Sequence, residues 1–179
     1  MPPSSSTDTW VIGIDPSWTG LALTALRTSG ERGPVTGCHA EVVRTSPDQF
    51  PTRAYRLRYL RDAVEAFLRT HPPRLVAVEG YAFGAQNGRE LAGELGGVLR
   101  MLVLDVTPTT QLLEVPPTVL KKFVTGRGNA TKAQMAECVG NLWQYLPEDH
   151  NAADSYGLAR IGVHQPARYI ARCVFLVSA

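Results

Sequence analysis

An excess of charge of one sign is missing from this chain: 18 Lys and Arg stand against 16 Asp and Glu, a formal net charge of +2. Such a chain is not a polycation, so any grip on nucleic acid must come from local placement of its basic residues. Cysteine is scarce, and Cys38, Cys138 and Cys173 match neither a disulfide framework nor a zinc-ligand spacing. They read as buried or idle thiols in a reducing compartment, which implies a cytoplasmic protein. No apolar run approaches the length of a membrane span. The opening MPPSSSTDT has neither the positive start nor the apolar core of a secretory signal. Internal repeats and low-complexity linkers are also missing. What is present, 179 residues of which 44% are hydrophobic, suits one folded unit with a core of ordinary size. Residues 1–8 are expected as a disordered leader and 9–179 as a single domain.

Apolar patterning orders the elements. TWVIGID (9–15) reads as a buried strand, PSWTG as a turn, and GLALTAL (20–26) as a second strand. Thr28 to Pro34 is a hairpin-type connection into a third strand at 37–44, so an antiparallel meander is expected. From Thr52 to Thr70 the period becomes helical: Ala54, Leu57, Leu60, Val64, Phe67 and Leu68 form a stripe. Arg53, Arg56, Arg58 and Arg61 lie largely off that stripe and read as a solvated face. RLVAVEG (74–80) is continuously apolar up to its carboxylate, in the manner of a buried parallel strand. A helix over about 87–104, a strand at 112–115 and a short helix opened by Pro116 and Pro117 follow. GRGNA (126–130) breaks the chain, Thr131 caps a helix through Trp143, and Asn151 opens another through about His164. The segment after that is ambiguous between strand and helix. The predicted class is α/β: a mixed five-stranded sheet flanked by helices, three antiparallel strands followed by parallel ones.

Three carboxylates occupy matching contexts. Asp15 and Glu79 each end an apolar strand, and Asp154 lies one turn into a late helix behind the small residues Ala152 and Ala153. Any one of them alone is best read as a solvating strand end or a helix cap. Three together, if the fold converges them, make an oxygen-rich site suited to hard divalent cations and to phosphoryl chemistry.

On these residues the chain resembles the RuvC family of Holliday junction resolvases, within the ribonuclease H-like superfamily. IGIDPSWTGLAL is similar to the family's opening strand-turn-strand, and VAVEGYAF to its second acid strand. LKKFVTGRGNATKAQM resembles the lysine-bearing loop with its Lys-x-x-x-x-Gly-x-Gly-x-Ala-x-Lys pattern, and DHNAADSYGLA the closing helix. The four blocks occur in family order. The resemblance implies Asp15, Glu79 and Asp154 as metal ligands, with Lys121 and Lys132 as catalytic lysines near the scissile phosphate. It implies Mg2+, with Mn2+ able to substitute, in hydrolysis that leaves 5′-phosphate and 3′-hydroxyl ends. It also implies a branched, four-way DNA junction as substrate and a homodimer as the working form.

Departures are equally readable. Where the family has a fourth acid or a histidine, this chain has Asn151, one helical turn before Asp154. Asn151 is either a neutral metal ligand or the helix N-cap, with His150 and Asp149 as neighbouring substitutes. The altered quartet fits a divergent or phage-type member. The family's stacking Phe position holds Ala82, flanked by Tyr81 and Phe83, either of which can stack on an unpaired base. Trp18 follows Asp15 where a smaller residue is usual, either shaping the groove or packing on the next strand. Lys121, Lys122, Arg127 and Lys132 are the expected phosphate contacts. Leu91, Leu95, Val98 and Leu102, with Gly93, Gly96 and Gly97, offer a helix face either for dimerisation or for packing on the sheet. Competing readings are a related nuclease for RNA, flaps or forks, a non-catalytic junction-binding module, and an actin-like phosphotransferase. The last needs a second domain of the same kind.

Overall fold

The computed structural model describes residues 8–31, 33–80 and 89–164. Strands β1 (Asp8–Asp15), β2 (Gly20–Ser29) and β3 (Val35–Arg44) form the expected meander. Helix α1 (Arg53–Thr70), strand β4 (Pro73–Glu79), helix α2 (Arg89–Val106) and strand β5 (Gln111–Val115) follow. Helices α3 (Pro117–Thr125), α4 (Lys132–Trp143) and α5 (His150–His164) close the described chain. The sheet order is β3-β2-β1-β4-β5. β1 pairs antiparallel with β2, β2 antiparallel with β3, β1 parallel with β4, and β4 parallel with β5. The expected mixed sheet is therefore present, with β1 at its centre.

Side-chain alternation divides the core between the two faces. Ile12, Ile14, Val76 and Val78 point to the face covered by α1 and α2, meeting Leu60, Val64, Leu95 and Leu99. Val11, Leu75 and Ala77 point to the other face, against α3, α4 and α5. Two small chain positions let α5 sit directly on the sheet. A side chain at Gly13 would meet Ser155 O at 2.0 Å and Ala159 N at 2.5 Å, and one at Gly162 would strike Leu75 and Val11 at 2.6 Å. The buried Thr24 and Ser155 hydroxyls, 2.8 Å apart, tie α5 to β2 as well.

Several boundaries differ from the sequence reading. β2 runs on to Ser29 and β3 starts at Val35, because Thr28 pairs with Val35 after an irregularity in the register. The expected connection from Thr28 thus shortens. A 3-10 turn at Pro47–Gln49 was not anticipated. Thr131 does cap α4: its side chain accepts from Gln134 N, and Gln134 returns a bond to the Thr131 amide. Asn151 does not cap α5. Asp149 takes that role, its Oδ1 accepting from Ala152 N at 2.9 Å. The arginines of α1 are not one solvated face either. Arg56 is only 7% exposed, while Arg53 pairs with Glu94, and Arg61 with Asp62 and Glu65. Cys38 and Cys138 are free thiols, and Cys173, Tyr81 and Phe83 lie outside the described residues. Among the described residues no helix is long and apolar enough to cross a membrane.

Candidate active site

Strand register and alternation assemble the acids. Ile14 pairs with Val78 across the parallel β1–β4 ladder, so Asp15 and Glu79 follow at the same level on neighbouring strands. Asp15 continues the Val11–Gly13 row and Glu79 the Leu75–Ala77 row, so both face α5. Asp154 precedes Ser155, the residue whose carbonyl lies against Gly13. The close seating of α5 thereby brings the third carboxylate over the ends of β1 and β4.

Their protonation records this proximity. Burial first, then the charges of Glu79 and Asp154, push Asp15 well above the usual carboxylate range, against a smaller pull from Lys132. Burial and the Asp154 charge lift Glu79 to about 7, opposed by Asp15, Lys121 and Lys132. The two carboxyls share a hydrogen bond, which raises Asp15 and lowers Glu79. Asp154 is raised by burial, and His150, Lys132 and Lys121 counter the shift. His150 precedes Asp154 by four residues, one turn along α5, and that i,i+4 spacing was the available signal for its influence.

Lys121, half-buried on α3, and Lys132, exposed at the start of α4, both act on the carboxylates. Lys122 and Arg127 are exposed on the same α3–α4 stretch, and neither figures among the influences on the three acids. Lys122 instead lines an open groove with Thr118, Val119, Phe123 and Gly128. Asn151 is half-buried with its amide against the start of β2, where a side chain at Gly20 would lie 2.6 Å from Nδ2. Asp149 is occupied by its capping bond and by Arg44, 2.9 Å away.

Three desolvated carboxylates form an all-oxygen donor set whose chemistry fits a hard divalent cation. Among the described residues no three His, Cys, Asp or Glu side chains close round a common centre as a finished cage. Asp15 and Glu79 both feel the Asp154 charge, yet they spend oxygens on each other.

Comparison with known proteins gives this arrangement a family. Residues 11–161 match the family model described as Crossover junction endodeoxyribonuclease RuvC. The protein of that name from Mycolicibacterium vanbaalenii is 36% identical over 157 residues, covering 83% of this chain and 76% of the relative. Its counterpart from Nocardia farcinica is 34% identical over 153 residues, covering 83% and 78%. Among solved structures, Thermus thermophilus RuvC superposes with a TM-score of 0.69 at 27% identity, covering 92% of this chain and 96% of that one. The structure of T. thermophilus RuvC in complex with Holliday junction substrate gives 0.68 at 27% identity, covering 87% and 97%. With a match that takes in all three acids and both lysines, this chain belongs to the RuvC family of crossover junction endodeoxyribonucleases.

Proposed function

We propose that this protein is a structure-selective endodeoxyribonuclease that cuts four-way DNA junctions, using Asp15, Glu79 and Asp154 to hold divalent cations. The observation that carries the reading is the convergence of these acids, from two strands and a late helix, into one patch where Asp15 and Glu79 share a hydrogen bond and the Asp154 charge raises both. Among the described residues none of these carboxylates closes an ion pair, and His150, Lys121 and Lys132 offset only part of their burial. Bound Mg2+, or Mn2+ in its place, would supply Lewis-acid polarisation of the phosphodiester and lower the pKa of water. Asn151 offers a neutral oxygen beside that set. The chain's own contributions are distinct. Buried Asp15 and Glu79 orient each other by their shared hydrogen bond, and Lys121 and Lys132 steady the phosphate. Lys122, Arg127 and the aromatics Tyr81 and Phe83 extend the DNA contact. Action on DNA places the enzyme in the compartment that holds it, which we take to be the cytoplasm.

The homodimer belongs to the same proposal. Of the predicted α2 stripe, Leu95 and Leu102 are buried in the chain's own core, which removes them from any interface. The outward face carries Leu91, Met101 and Leu104, exposed by 38%, 60% and 48%. A side chain at Gly97 would meet nothing within 4 Å, so this face can receive a second helix closely. The decisive experiment is cleavage of a mobile four-way junction with Mg2+ or Mn2+ by wild type and by Asp15→Asn. Wild type should cut and Asp15→Asn should bind without cutting; cutting by Asp15→Asn would reject the assignment. Sedimentation of the free protein as a monomer at micromolar concentration would reject the dimer.

A further inference from the structure

We propose that Trp18 is a positioning residue for this site: it straps the turn after Asp15 to the first turn of α2, and Arg56 and Thr45 hold it there. The inference rests on the nuclease reading for its consequence, but on separate contacts for its geometry.

Asp15 and Glu79 each hand over from a strand to a connection of its own, the turn before β2 and the stretch before α2. The β1–β4 ladder aligns their backbones only as far as Ile14 and Val78. Past that point Trp18 ties the turn after Asp15 to helix α2, its indole N–H donating to Leu91 O at 2.6 Å. The other end of Trp18 is held as firmly. Its carbonyl accepts from Arg56 Nη2 and from the Thr45 hydroxyl, each at 2.5 Å. Arg56 also donates to Thr45 through Nε to Oγ1 at 2.8 Å and Nη2 to O at 3.1 Å, and its guanidinium lies 5.4 Å from the centre of the indole ring. Thr45 N closes the network on Thr19 O at 3.3 Å.

Arg56 is what makes this more than packing. It is 7% exposed and Thr45 6% exposed, and among the described residues no carboxylate forms an ion pair with Arg56. Asp48 feels its charge without closing an ion pair, and a buried guanidinium with no anion in direct contact is costly. All the described hydrogen bonds of its side chain go to the backbone and hydroxyl that fix the Trp18 turn, so its product is a defined geometry rather than stability. Acids that must present oxygens to a shared cation tolerate about 0.5 Å of play, and misplacement by about 1 Å can cost a hundredfold in rate.

Trp18→Phe keeps the ring and removes the donor. The full-length protein should then cut a four-way junction about tenfold more slowly in single-turnover Mg2+ reactions. Its junction affinity, measured in EDTA, should stay within about twofold of wild type. Mn2+ binding to the DNA-free protein, followed by electron paramagnetic resonance, should weaken about threefold or more. Amide exchange should quicken around 17–20 and 91–95 and remain unchanged through 11–14. Arg56→Lys, which keeps the charge but loses the fork, should move the same readouts in the same direction. Wild-type cutting together with wild-type Mn2+ affinity in Trp18→Phe overturns the proposal. So does a rate loss matched by an equal loss of junction affinity, which would make Trp18 a DNA contact. Should wild type itself fail to cut, the nuclease reading falls, and an unaltered exchange pattern in Trp18→Phe would separately dismiss the strap.

Discussion

Replacing Glu79 by Gln should make the metal-free protein more stable, and only above mildly acidic pH. The Glu79 carboxyl rises from 4.5 in the free residue to about 7 in the fold, chiefly through burial and the Asp154 charge. A carboxyl raised in this way is protonated in both states below about pH 4.5, where it leaves stability untouched. As pH climbs from there to about 7 the unfolded chain ionises first, and stability falls until the folded group also ionises. At about 1.4 kcal/mol per pH unit the full loss is roughly 3 kcal/mol. Part of it belongs to Asp15, which shares a hydrogen bond with Glu79, so about 1–3 kcal/mol is the expected gain from the neutral amide. For a chain of this size each kcal/mol moves Tm by about 2–4 °C, giving a rise of about 2–12 °C at pH 8. Calorimetric scans of both proteins in EDTA at pH 4.5, 6 and 8 measure it. The gap should open with pH and shrink or reverse in millimolar Mg2+, which only wild type should bind well. An equal or lower Tm for Glu79→Gln at pH 8, or a pH-independent gap, would refute the reasoning.

Other expectations follow from the same contacts. Gly13→Ala puts a methyl group 2.0 Å from Ser155 O, a backbone atom, so α5 must lift. A loss of about 3 kcal/mol or more should appear in urea unfolding. Asp149→Ala removes the cap of α5 and an ion pair with Arg44. It should cost about 1 kcal/mol by thermal unfolding, and Asp149→Asn much less. Lys132→Met should lower the single-turnover cleavage rate about 10²–10³-fold while junction affinity falls far less, as gel-shift titration would check. If affinity falls as far as rate, Lys132 is a backbone anchor only.

The parts of the site that local chemistry dictates could be read from the chain. Continuous apolar runs ending in an acid marked β1 and β4, and the Thr131–Gln134 capping pair marked α4. What escaped depended on residues far apart in sequence. Arg56 falls off the helical stripe of α1, yet it is buried because Trp18 and Thr45 arrive from other elements. Asn151 and Asp149 are both good caps by composition, and only the actual start of α5 at His150 selected Asp149. Leu95 and Leu91 stand on one apparent stripe, but the sheet takes the first and leaves the second outside. Gly13 was legible in principle, since a glycine inside a buried strand signals a close backbone neighbour.

That two of the acids close adjoining parallel strands has an evolutionary corollary. The gap between their backbones is the ladder's own repeat, roughly 4.8 Å, a dimension that insertions in loops or drift at the surface cannot alter. The position of Asp154 is the adjustable one, since it rides on a helix whose height above the sheet is fixed by the absence of a methyl group at residue 13. Lineages can therefore diverge across most of the chain with the first two oxygens still in step. Retuning of the acids' surroundings should concentrate where α5 rests on β1.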